Sequence, residues 1–133
     1  HVKLYKVDSG CRLYWDLIKW KQNGGKDHIL FEVRYKDNYP LSPPFVRVIY
    51  PYLLGNHAMY DGGLICSELL TPKGWSSLYT IEPLILHLSA SLSAGGAYLD
   101  LLSANYQPPL KYAIYAVERM SKSDHEWSMP DKS

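Results

Sequence analysis

HILFEVRYKDNYPLSPPFVRVIY, residues 28–50, is the stretch whose pattern sets the fold class. At its start Ile29, Phe31, Val33 and Tyr35 alternate with Leu30, Glu32 and Arg34. That period of two predicts a strand over 28–35 with one buried face. Pro40, Pro43 and Pro44 then remove ladder donors, so the chain must turn within DNYPLSPP, 37–44. FVRVIY, 45–50, is β-branched and aromatic and reads as a second strand that pairs with the first as a meander.

Toward the N-terminus, VKLYKV, 2–7, reads as a further short strand. Asp8 and Ser9 are cap residues for a helix over 11–21, where Leu13, Tyr14, Leu17 and Ile18 recur at helical spacing, and the Asn-Gly-Gly at 23–25 ends it. On the other side, residues 51–79 are long and irregular, punctuated by Pro51, Gly55, Gly62, Gly63, Pro72 and Gly74. Loops of this length in a small domain tend to be functional. Thr80 caps a helix over 81–94 with Ile81, Leu84, Ile85, Leu88 and Leu92 on one face, stopped by Gly95 and Gly96. Pro108 and Pro109 open a last helix with Leu110, Ala113, Ile114, Val117 and Met120 inward, and the polar tail from Lys122 is expected to fray. Strands first and helices last predict an α+β domain, an antiparallel β-meander packed against helices rather than a βαβ unit.

The 133 residues fit a single domain, 1–133. With 14 basic and 13 acidic residues spread along the chain, no block points to nucleic acid or an anionic membrane. No apolar run reaches the ~18 residues that would span a bilayer, and no signal peptide is evident. The first residue, His1, is not Met, as expected of a piece of a longer protein or a processed chain. The 12 Tyr and 4 Trp are expected to lie half-buried along grooves or interfaces, polar tips outward. Cys11 and Cys66 form no CxxC pair and the histidines no i, i+4 pair, so neither a metal nor a cofactor is expected. Two reduced thiols suit a cytoplasmic or nuclear protein.

Cys66 is the candidate for chemistry. Gly62 and Gly63 before it allow a tight turn and leave space beside the sulfur, while Leu64, Ile65, Leu69 and Leu70 pin the segment to the core. The plainer alternative is a buried structural cysteine. A hydrolase would need a paired base, and nothing in the spacing of His28, His57, His87 or His125 supplies one; His87 lies off the apolar stripe of its helix. Asp61 and Glu68 flank the thiol and would raise its pKa, which suits sulfur-to-sulfur acyl exchange better than a strongly activated nucleophile. Cys11, on the first helix, is expected to be chemically silent.

Three ordered segments carry a resemblance. YPLSPPFVRVIYP (39–51) resembles the proline-rich turn and strand of ubiquitin-conjugating enzymes, DGGLICSELL (61–70) their active-cysteine segment, and GWSSLYTIEPLI (74–85) their tryptophan loop and following helix. The match covers roughly residues 28–95, and VKLYKVD (2–8) and KDNYPLSPPFVRV (36–48) look closest to the Q-type branch. The resemblance implies a UBC-like fold and ubiquitin carried as a thioester on Cys66. Its implied partners are ubiquitin, an activating enzyme, a ubiquitin ligase and a protein substrate. The groove between the 51–79 loop and the segment after Gly96 would orient the ubiquitin tail. His57, Glu68 and Ser76 are possible supporting residues; Glu68 is equally readable as a solvated loop charge. Trp75 would anchor the loop, and Tyr106 is a groove candidate without a spacing argument.

The sequence departs from the class in three places. Most members carry His-Pro-Asn with Asn eight residues before the cysteine; here Asn56-His57-Ala58 stands there, as Q-type members also lack the triplet. The source of oxyanion stabilisation is thereby open between His57 and backbone amides near Cys66. The class begins with a helix and a first strand that are not evident ahead of VKLYKV, so the N-terminal helix is expected to be missing. The tryptophan loop reads Trp75-Ser76-Ser77 where the class often has Trp-Ser-Pro. The rival reading is a UBC-like module that binds ubiquitin or another protein without carrying it.

Overall fold

β2 (Ile29–Arg34) and β3 (Phe45–Tyr50) pair antiparallel, as their alternation predicts, and β1 (Val2–Leu4) adds to the other side of β2. Among the described residues the sheet order is β1-β2-β3. The computed structural model describes residues 1–55, 63–65 and 67–124, with only the backbone of Glu68 and of 120–124. β1 stops at Leu4 rather than Val7: Tyr5, Lys6 and Val7 leave the ladder to line a cleft of about 180 Å³ with Tyr14, Leu17 and Ile18. The one-sided alternation of β2 is also only partial. Leu30 is buried along with Ile29 and Phe31, because a register shift after it sets it against Tyr50, whereas Tyr35 lies beyond the strand and is exposed.

α1 spans Arg12–Gln22 with Cys11 at the N-cap position and no side-chain cap. Asp8 does not cap the helix as expected; its carboxylate accepts the Gly10 N–H at 3.0 Å and its carbonyl accepts the Cys11 thiol at 2.9 Å, which closes a turn before the helix. Leu13 and Trp20 are the buried residues of α1, and Trp20 belongs to the same core as Phe31, Val48, Leu88 and Leu92. α2 (Ile81–Ala94) buries Leu84, Ile85, Leu88, Ser89 and Leu92. Thr80 holds the N-cap position in extended conformation, but its hydroxyl makes no cap bond. α3 (Leu110–Asp124) packs Ala113, Ala116 and Val117 on Phe45 and Leu64 in a second, smaller cluster. Ile114, predicted inward, is only half-buried, since the buried face of α3 runs through Ala113, Ala116 and Val117.

One ionic network joins sheet to helix. Arg47 donates from Nε to Glu32 at 2.7 Å and from its guanidinium to the Pro108 carbonyl at 2.9 Å, while Arg34 donates to the other Glu32 oxygen at 3.3 Å. Burial pushes the Glu32 carboxyl up, but the two arginine hydrogen bonds outweigh it and hold the group below its ordinary value.

Candidate functional site

The two residues ahead of Cys66 are buried in different clusters. Leu64 bridges to Arg47 of β3 and is buried in the α3 cluster; Ile65, fully buried in the main core, donates its N–H to the Val46 carbonyl at 3.4 Å. Gly63 has φ +78 and lies against the Val48 carbonyl, where a Cβ would collide with backbone. No side chain fits that approach, so glycine is required here by both conformation and space. On the far side, the Ser67 hydroxyl accepts the Leu69 N–H at 3.3 Å and its carbonyl accepts the Leu70 N–H at 3.0 Å, which starts a single 3₁₀ turn, Glu68–Leu70. Apolar burial thus fixes the chain at Leu64 and Ile65 before position 66 and again at Leu69 and Leu70 after it. Cys66 itself, His57, Gly62 and Ala58 lie outside the described residues, as does the Glu68 side chain.

Behind this turn Thr71 is buried, and its carbonyl accepts the N–H groups of both Gly74 and Trp75. Trp75 is half-buried against the main core rather than engulfed. Its indole N–H donates to the Pro40 carbonyl at 2.8 Å, and its ring contacts Tyr39 and Tyr79 at centroid distances of 6.2 and 5.4 Å. The tryptophan loop and the proline-rich turn are thereby tied together. Ser76 is spent locally, its hydroxyl accepting the Leu78 N–H at 3.2 Å. Leu41 on one loop and Leu78 on the other are 77% and 88% exposed, too open for core residues.

The two segments expected from the sequence to flank a groove are bonded to each other. Leu54 and Tyr98 exchange two backbone hydrogen bonds, at 2.8 and 3.0 Å, and Tyr52 donates to the Ala104 carbonyl at 3.0 Å. Tyr106 is about half exposed and stacks edge-on to Tyr52 at 5.3 Å. His87 is exposed on α2, as its position off the stripe predicts, and His28 is buried between Asp27 and Tyr50, each at 2.8 Å. The contacts that sequence reasoning missed are those of α1. Asp16 accepts the Leu99 N–H and Trp20 donates to Asn105, across more than 80 residues of chain. No local pattern signals such pairs. Among the described residues no group of three His, Cys, Asp or Glu side chains is placed to hold a metal, and no helix is long and apolar enough to cross a membrane.

No family model matches the chain. It is 50% identical over 134 aligned residues, 99% of its length, to human and mouse ubiquitin-conjugating enzyme E2 Q1, of which it covers 32%. It is 44% identical over 99 residues to ubiquitin-conjugating enzyme E2 25 of Caenorhabditis elegans, and 43% identical over 95 residues to a mouse Q-like ubiquitin-conjugating enzyme protein. These spans are 74% and 71% of the chain, and 25% and 56% of those two relatives. The chain therefore spans well under two thirds of the curated relatives it matches. With an antiparallel meander against helices and the three ordered motifs in place, half-identity over nearly every residue puts this chain in the ubiquitin-conjugating enzyme family, in its Q-type branch.

Proposed function

We propose that the chain carries ubiquitin as a thioester on Cys66 and passes it to an acceptor. The observation that supports this most is the anchoring of Leu64, Ile65 and the Ser67 turn around position 66. Fixed flanking segments suit a residue on which acyl groups must exchange. The Cys66 thiolate attacks the activated carboxyl carbon of ubiquitin's C-terminus, held by the activating enzyme as its own thioester, and that enzyme's thiolate leaves. An acceptor nucleophile later attacks the same carbonyl, loses its proton, and the Cys66 thiolate departs. With Ala58 at the usual Asn position, His57 or backbone amides near Cys66 supply the oxyanion donor.

The ligase reading has its own support. Leu41 and Leu78 project from two loops that the Trp75 indole ties together, a joined platform with an apolar surface. The protein substrate would approach from the groove side, and the site of action is cytoplasmic or nuclear. Incubation with activating enzyme, ubiquitin and ATP, followed by a non-reducing gel, tests the reading. The expected product is a reducible adduct of one ubiquitin, absent in Cys66→Ala. An adduct of equal yield in Cys66→Ala would move the thioester off Cys66, and no adduct from the wild-type chain would leave a non-carrying ubiquitin-binding module as the better reading.

A further inference from the structure

We propose that α1 sets the groove wall: Asp16 and Trp20 are positioning residues that hold residues 97–106 against the chain leading to Cys66. The inference rests on the thioester reading above. Asp16, its side chain 13% exposed, accepts the Leu99 N–H at 3.2 Å. The same carboxylate oxygen pairs with Arg12 Nε at 3.5 Å, and the Arg12 guanidinium covers the Tyr98 ring at 4.2 Å. Near the other end of α1, the buried Trp20 indole donates to Asn105 Oδ1 at 2.9 Å. The helix therefore grips both ends of the 97–106 segment.

That segment is in turn bonded to the chain ahead of the cysteine, through the paired backbone of Leu54 and Tyr98 and through Tyr52 and Ala104. Gly55, with φ +76, leaves no room for a Cβ beside the Tyr98 ring, so the ring packs directly over the Gly55 backbone. Apolar burial of Ala97, Leu99 and Ala104 keeps the segment in the core. Burial is non-directional, however, and leaves the segment's register to the polar contacts. A single hydrogen bond is too weak to decide folding, whereas transfer chemistry responds steeply to small displacements of the groove that orients the acyl group. Asp16 and Trp20 would thus act on transfer without touching the thioester.

Three variants test this. Trp20→Phe keeps an aromatic ring but removes the donor to Asn105. Asp16→Leu removes the acceptor of the Leu99 N–H, and Asp16→Asn retains an acceptor oxygen. Amide hydrogen exchange is followed at Leu54 and Tyr98, beside single-turnover formation and discharge of the thioester. We expect Trp20→Phe and Asp16→Leu to exchange about tenfold faster at those two amides than at the β2–β3 ladder, as for a local opening. Discharge should slow by about five- to tenfold with formation changed less than twofold, and Asp16→Asn should recover most of both. Uniform acceleration at every amide, unchanged discharge despite faster local exchange, or an Asn variant as slow as the Leu variant would each overturn the proposal. Failure of the wild-type chain to form any adduct would instead overturn the thioester reading. Exchange at Leu54 and Tyr98 would then decide the clamp alone, supported if accelerated locally and rejected if not.

Discussion

Gly63 and Trp75 show how single residues shape the candidate site. At Gly63 a side chain meets two obstacles at once, a left-handed φ of +78 and the backbone of Val48. Left-handed strain alone costs about 1–2 kcal/mol, and the neighbouring carbonyl is backbone and has little freedom to move. Gly63→Ala should therefore destabilise the fold by at least about 2 kcal/mol in urea denaturation. A midpoint equal to wild type would show that residues 63–65 rearrange freely. Trp75 differs because it is only half-buried, so Trp75→Ala should cost about 2–3 kcal/mol, below the roughly 3–5 kcal/mol of a fully buried large aromatic. Trp75→Phe keeps a ring but leaves the Pro40 carbonyl without the indole, and should cost about 1 kcal/mol. Equal stabilities for the two variants would make the hydrogen bond, not the packing, the anchor.

Elements are joined by charges that the strands bring into register. Glu32 on β2 faces Arg47 on β3, and Arg47 reaches on to Pro108, two residues ahead of α3. Glu32 is held below the ordinary glutamate value of 4.5, so the folded state binds its proton less readily than the unfolded chain does. Its stabilisation is therefore present above pH 4.5 and is lost as pH falls through the lower folded value. Glu32→Gln should melt below wild type at pH 7, with the gap narrowing steadily as the buffer is taken from pH 4.5 into stronger acid. A gap independent of pH would mean that the carboxylate's charge contributes nothing beyond its shape. Removing the other partner is harsher: Arg47→Met leaves a largely buried carboxylate with Arg34 alone, frees the Pro108 carbonyl, and should cost about 3 kcal/mol by denaturant titration.

For the molecule as a whole, the proposed chemistry and the proposed docking surface are separable. Replacing Leu41 and Leu78 together by Ser should leave thioester formation and ligase-free discharge within about twofold, because neither side chain supports the core. The same change should lower ligase-stimulated transfer by about tenfold or more, the scale of losing an apolar hot spot. Equal stimulation of variant and wild type would move the ligase surface elsewhere. His57→Ala addresses the oxyanion. It should slow discharge of a preformed thioester, by roughly 3 kcal/mol of barrier at most, while formation stays nearly intact. Equal discharge rates would leave the backbone amides around Cys66 as the remaining donors.

Short windows of sequence were enough for the α+β class, the β2–β3 hairpin and the extents of α1, α2 and the start of α3, because side-chain periodicity and proline or glycine punctuation act over a few residues. They also singled out the motifs that carry the family, since those are local strings. The same reading overextended β1 to Val7 and offered Asp8 and Ser9 as caps where Cys11 stands, as neighbouring turns and packing override local propensity. Packing across the molecule was needed to put Trp20 in the core, to link β2 to α3 through Arg47, and to tie two loops through Trp75. It was needed equally to bring Asp16 to Leu99 and Asn105 to Trp20. Such contacts depend on where distant segments come to rest, which non-directional burial settles for the whole chain at once and no short window of sequence records.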